Sequence, residues 1–240
     1  MSEFFNMDNK LFQGIGKIVD CIWLNVLYMV CAIPFAFTAY LAYQTASLIF
    51  WLVSCVTAIP LGVATTALYY TVNKVIRHGR GYIWSEFTSS FRSNFKQSAV
   101  VTLILSLLAV VLAGDSYIMY HSAKNGDKSG VIYIIFIIFL AFEVAWALYI
   151  FPYMARFENR TKQMLKNTAY IAIANLPGTI ILLVVFAGMA LTTYMFPVII
   201  IVVPAVFMLF ANLLLEKVFR KYMSEEDLAA EDERNQEFYS

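Results

Sequence analysis

Six apolar runs lie almost end to end along this chain and constrain its fold more than anything else in it. They are Ile18–Ala42, Ala46–Val72, Ala99–Tyr120, Val131–Met154, Leu176–Tyr194 and Pro197–Leu215. Each approaches the ~20 apolar residues that carry a helix across the hydrocarbon core of a bilayer. No water is present there to satisfy open backbone groups, so such spans have to be helical. Composition agrees: 61% of the 240 residues are hydrophobic and 14% are charged, whereas a soluble domain is roughly half apolar and about a quarter charged. The expectation is an all-α integral membrane protein with about six transmembrane helices. The last two runs meet at a tight turn near Met195–Phe196, which fits a re-entrant or broken segment as well as a sixth full span.

The basic residues sort by side. Lys10 and Lys17 precede the first run, and Lys74, Arg77, Arg80, Arg92 and Lys96 follow the second. Arg156, Arg160, Lys162 and Lys166 follow the fourth, and Lys217, Arg220, Lys221 and Arg234 follow the sixth. Only Lys124 and Lys128, of the 17 lysines and arginines, fall on the other side. The positive-inside rule then predicts a multi-pass membrane protein with both termini cytoplasmic; the resemblance drawn below makes that membrane a bacterial cell membrane. The polar opening lacks a small-residue cleavage motif, which argues against a removable signal peptide. Three regions are expected: an interfacial amphipathic segment over 1–17, a six-helix membrane domain over 18–215, and a charged cytoplasmic tail over 216–240. Pro60, Pro152 and Pro204 lie in the even-numbered runs and are expected to bend them.

The loops on the basic side carry helical patterns of their own, so amphipathic cytoplasmic helices are expected there. Trp84, Phe87, Phe91 and Phe95 recur at spacings that share one helical face, with Arg92 and Lys96 beside them. An aromatic stripe with basic flanks suits the surface of an anionic leaflet. After the fourth run, Lys162 and Lys166 share one face and Leu165, Ala169, Ala172 and Leu176 another. The string Phe-x-x-x-x-Lys-Gln occurs in both loops, at Phe91–Gln97 and Phe157–Gln163. Trp84, Phe87, Phe91, Phe95, Lys96, Phe157, Lys162 and Lys166 are therefore the candidate docking residues, for lipid alone or for a partner protein.

Local motifs for catalysis are missing from the sequence. His78 and His121 have no metal-ligand spacing to Cys, Asp or Glu, and there is no Gly-rich phosphate loop or Gly-x-Ser-x-Gly turn. Cys21, Cys31 and Cys55 sit inside apolar runs, where a thiol packs as a small hydrophobe. The expectation is a protein that is not an enzyme, has no cofactor and engages no nucleic acid. Glu143 stands apart, in the middle of the fourth run. A charged carboxylate at that depth costs ~2.5–3.5 kcal/mol, so it should face protein or water. Candidate partners are Asn25, Gln44, Thr57, Thr65, Thr66, Thr71 and Asn212. It reads either as a proton or substrate site or as a neutral acid hydrogen-bonded between helices. Asn25 and Asn212 join it as candidate intramembrane site residues, with interhelical hydrogen bonding as their simpler role.

Three sets of strings resemble the YesL family of bacterial membrane proteins, whose defining region is a domain of unknown function. The first is Phe4-Phe5-Asn6-Met7-Asp8 with Asp20 and Leu24-Asn25. The second is Ala64-Thr65-Thr66-Ala67-Leu68-Tyr69-Tyr70, leading to Gly81-Tyr82-Ile83 and Asn94-Phe95-Lys96-Gln97. The third is Phe151-Pro152, Arg156-Phe157-Glu158-Asn159, Lys162-Gln163, Leu165-Lys166-Asn167 and Asn175-Leu176-Pro177. Here roughly Phe35 to Val56 separates the first two sets, which run nearly together in the family. The resemblance implies a companion of carbohydrate ABC import in a Gram-positive bacterium, touching permease or ATPase subunits through the docking residues. The rival expectation is an autonomous small-solute transporter or channel built on Glu143.

Overall fold

The computed structural model describes residues 10–127, 131–229, 231 and 233, with the backbone alone for 10–15. The described residues are helical with no strand, and the helices follow the apolar runs. They are α1 (Lys10–Thr45), α2 (Leu48–Thr57), α3 (Ile59–Thr71), α4 (Ile83–Lys124), α5 (Tyr133–Arg156), α6 (Thr161–Ala174), α7 (Leu176–Met195) and α8 (Val203–Arg220). A π-helical turn, Val72–Arg77, extends α3, and a 3₁₀ turn, Pro197–Ile201, precedes α8.

Among the described residues, five helical stretches are long and apolar enough to cross a membrane: Gly16–Thr45, Leu48–Arg77, Ile83–Lys124, Tyr133–Arg156 and Leu176–Met195. The expected sixth span, Pro197–Leu215, takes a different form. Its first turn is the 3₁₀ segment, and α8 runs past Leu215 to take in Glu216, Lys217 and Arg220. Proline explains the break, since it lacks the amide hydrogen an α-helix needs and favours the first helical turn. Pro204 accordingly sits at the start of α8, and Pro60 stands just past the α2–α3 junction. Pro152, by contrast, lies inside α5 without interrupting it.

The two aromatic and basic patterns on the expected cytoplasmic side part company. Trp84 to Lys96 belongs to α4 itself, a single helix of 42 residues, about 63 Å long at 1.5 Å per residue. That is about twice the ~30 Å hydrocarbon thickness, so its aromatic first turns extend well beyond one span. The second pattern is a separate helix, α6. Of the expected 1–17 surface segment, residues 1–9 lie outside the described residues, and Lys10 onward is continuous with α1.

The core gathers where α3 packs against α4 and α5, with α1, α7 and α8 around them. Gly62 permits the closest approach: a Cβ there would lie 1.8 Å from Thr102 Oγ1 on α4. Small residues at such contacts let backbones come together and multiply dispersion contacts, which is what drives helix association in lipid. Beside it, the Thr66 and Ser98 hydroxyls meet at 3.1 Å. Outward-facing apolar side chains such as Ile33, Phe37, Ile138 and Val184 are more than half exposed, a distribution that fits a bilayer as surrounding solvent.

Candidate functional site

Polar side chains converge at the basic end of the bundle. Tyr69 comes from α3, and the π turn places Asn73 and Arg77 toward α8. Such a turn widens the helix and re-aims the residues in it, and π turns recur at functional sites. Gly79 and Gly81 then reverse the chain with φ of +67° and +81°, a left-handed conformation that residues with a Cβ seldom adopt. On α8, Asn212 and Glu216 stand one turn apart on one face.

Glu216 is the hub. Its Oε1 accepts from Tyr69 Oη at 3.0 Å and from Asn73 Nδ2 at 3.2 Å. Its Oε2 accepts from Nη1 of Arg156, the last residue of α5. Arg156 Nη2 also donates to Glu231 Oε2 at 2.7 Å, which fastens the segment after α8 onto the bundle. Arg77 Nη1 donates to Asn212 Oδ1 at 2.7 Å. The Arg156 and Glu216 side chains are only 12% and 7% exposed, so each ion depends on its partners for the solvation it has lost. Asn73 Oδ1, Asn212 Nδ2 and Arg156 Nε have no hydrogen-bond partner among the described residues.

Asn25 has a structural task. Fully buried, it donates from Nδ2 to Ile201 O at 2.8 Å and accepts the Ala205 amide at Oδ1, also at 2.8 Å. One side chain thereby satisfies two of the backbone groups left open where the 3₁₀ turn gives way to α8. Asn25 and Asn212 thus bond to other groups and are not brought to Glu143.

Glu143 is buried, and neither carboxyl oxygen has a hydrogen-bond partner among the described residues. The other expected partners are engaged elsewhere. Gln44 bonds to Tyr40, Thr57 to Thr38, Thr65 to Tyr28, Thr66 to Ser98 and Thr71 to Ala67 O. The expected interhelical hydrogen bond to Glu143 is therefore not formed.

The candidate docking residues divide. Trp84 and Phe95 are 59% and 42% exposed, and Lys96, Lys162 and Lys166 are exposed as well. Phe87 is buried and stacks on the half-buried Phe91. Phe157 is half-buried against Tyr153 and Phe219. The two Phe-x-x-x-x-Lys-Gln strings touch without being equivalent: Gln97 donates to Asn159 O at 2.8 Å, while Gln163 is exposed. Next to this contact lies a cavity of about 370 Å³ between the α5–α6 connection, α6 and the segment after α8.

Residues 21–116 match the family model described as "Protein of unknown function, DUF624". No curated protein and no solved structure matches the chain. The matched stretch carries Asn25, Tyr69, Asn73, Arg77 and the aromatic stripe of α4, and it ends before Glu143, Arg156 and Glu216. No group of three or more His, Cys, Asp or Glu among the described residues could hold a metal ion.

Sequence reasoning passed over the hub. Arg156 reads there as one more loop cation and Glu216 as the first residue of the charged tail over 216–240. The signal available was spacing: Tyr69 with Asn73, and Asn212 with Glu216, are polar pairs four apart at the ends of apolar runs.

Proposed function

We propose that this chain is a non-catalytic, multi-pass membrane protein that serves carbohydrate ABC import as an accessory or regulatory component. Its basic end would face the cytoplasm and dock a permease or ATPase subunit. The observation that carries this reading is the exposure of Trp84, Phe95, Lys96, Lys162 and Lys166 at the end where the ion network braces α3, α5 and α8. Large aromatic side chains beside cations on a braced scaffold are the residues that anchor interfaces. The resemblance to the YesL family supplies the kind of partner, and the DUF624 match over α1 to α4 is in keeping with it. Mild-detergent purification of the tagged chain from its host, followed by mass spectrometry, is expected to recover importer subunits in stoichiometric amount. Trp84→Ala with Phe95→Ala should release them. Recovery of the chain by itself would defeat this reading.

A second reading rests on Glu143, a buried carboxyl in the apolar region whose two oxygens find no hydrogen-bond partner among the described residues. In it the protein moves a small solute or proton on its own. Glu143→Gln is then expected to abolish a proton-dependent flux in liposomes, and unchanged flux in that variant would remove the carboxyl from the mechanism.

A further inference from the structure

We propose that the cavity at the basic end is a binding site for a small organic cation of the alkylammonium class. Its floor is aromatic: Tyr153, Phe157 and Phe219 pack on one another with centroids 4.6 to 5.8 Å apart. Its rim is aromatic too, with Tyr170 and Tyr222 edge to face at 6.5 Å and both substantially exposed. All five rings line the space, and Asp227 is the one ionisable acid or base among the described residues that line it, the tyrosines aside. Aromatic faces present negative quadrupole potential to a cation, and a carboxylate at the rim adds a full charge. A volume of about 370 Å³ leaves room for a methylated ammonium head and part of its chain.

The adjoining ion network points the same way. Arg156 lies close behind the cavity, with Nη2 3.4 Å from Sδ of the lining residue Met223 and its guanidinium 5.7 Å from the Phe157 ring centroid, so the other four rings are the ones left to a bound cation. That guanidinium is matched by two carboxylates, Glu216 and Glu231. Exposed lysines such as Lys162 and Lys166 sit in solvent, where salt screens them within about 8–10 Å.

The segment carrying Tyr222, Met223 and Asp227 is itself docked. Asn175 Nδ2 donates to Tyr222 Oη at 2.9 Å and Glu231 holds Arg156, while within the segment Ser224 Oγ donates to Asp227 Oδ2 at 2.6 Å. One wall of the site is therefore the C-terminal segment, and a bound cation would favour its docked position.

The test is calorimetric titration of the full chain in phosphatidylglycerol nanodiscs, which carry no ammonium headgroup. Tetramethylammonium chloride and choline chloride are compared with sodium chloride at equal ionic strength. Saturable binding of one cation per chain is expected, weakened about tenfold by Asp227→Asn and by Tyr222→Leu. Both positions are exposed, so the bundle core is untouched, and Tyr222→Phe, which loses the Asn175 bond and keeps the ring, should bind as the parent chain does. Replacing the lipid by phosphatidylcholine identifies the source: competition points to a lipid headgroup, and its absence to a soluble cation. Heats no larger than those of sodium chloride, binding indifferent to both variants, or saturation by glucose and not by tetramethylammonium would each overturn the proposal.

Discussion

At the scale of single residues, the two buried carboxyl groups differ in what surrounds them. Glu216 accepts from a phenol, a carboxamide and a guanidinium, whereas Glu143 accepts from nothing among the described residues. Removing the cation from the first leaves an uncompensated buried charge, so Arg156→Ala should cost about 3–5 kcal/mol. Adding Glu216→Gln to that variant removes the stranded charge and is expected to return part of the loss. Thermal unfolding in detergent measures both, and a double variant no better than the single would contradict the pairing. Glu143 predicts the opposite sign. Glu143→Met replaces unsatisfied polar atoms with apolar ones and should raise stability by about 1–3 kcal/mol. Stabilisation that comes with lost flux is the pattern of a functional group kept at a structural cost.

At the scale of elements, two junctions decide how the helices assemble. The α3–α4 contact depends on the missing Cβ of Gly62, since an added methyl would also lie 2.8 Å from Thr102 Cβ, a rigid branched centre. Gly62→Ala is therefore expected to lose about 1–3 kcal/mol by overpacking, and Thr102→Ala in the same chain should restore some of it. The start of α8 depends on Asn25. Asn25→Leu strands the Ala205 amide and the Ile201 carbonyl, at about 1–3 kcal/mol, and hydrogen exchange over 203–206 should accelerate selectively. Uniform acceleration along α8 would mean that Asn25 holds the whole helix rather than its first turn.

At the scale of the whole molecule, the charge asymmetry makes a topological prediction. With an impermeant maleimide, Ser89→Cys on α4 should be labelled only from the cytoplasmic side, and Asn125→Cys only from outside. The native cysteines are buried or half-buried and offer little background. Labelling of both positions from one side would invalidate an odd number of crossings between them. Helix content and the five membrane-length helices were legible in the chain, because apolar run length is a local quantity that the bilayer reads directly. The separate helix α6 was legible for the same reason, from its own amphipathic period. What the sequence could not show was which polar residues meet. Arg156 and Glu216 are 60 positions apart, Asn25 reaches a backbone break more than 170 positions away, and the expected partners of Glu143 all bond elsewhere. A hydrogen bond depends on ångström-scale distance and direction, and those exist only once α3, α5 and α8 have packed.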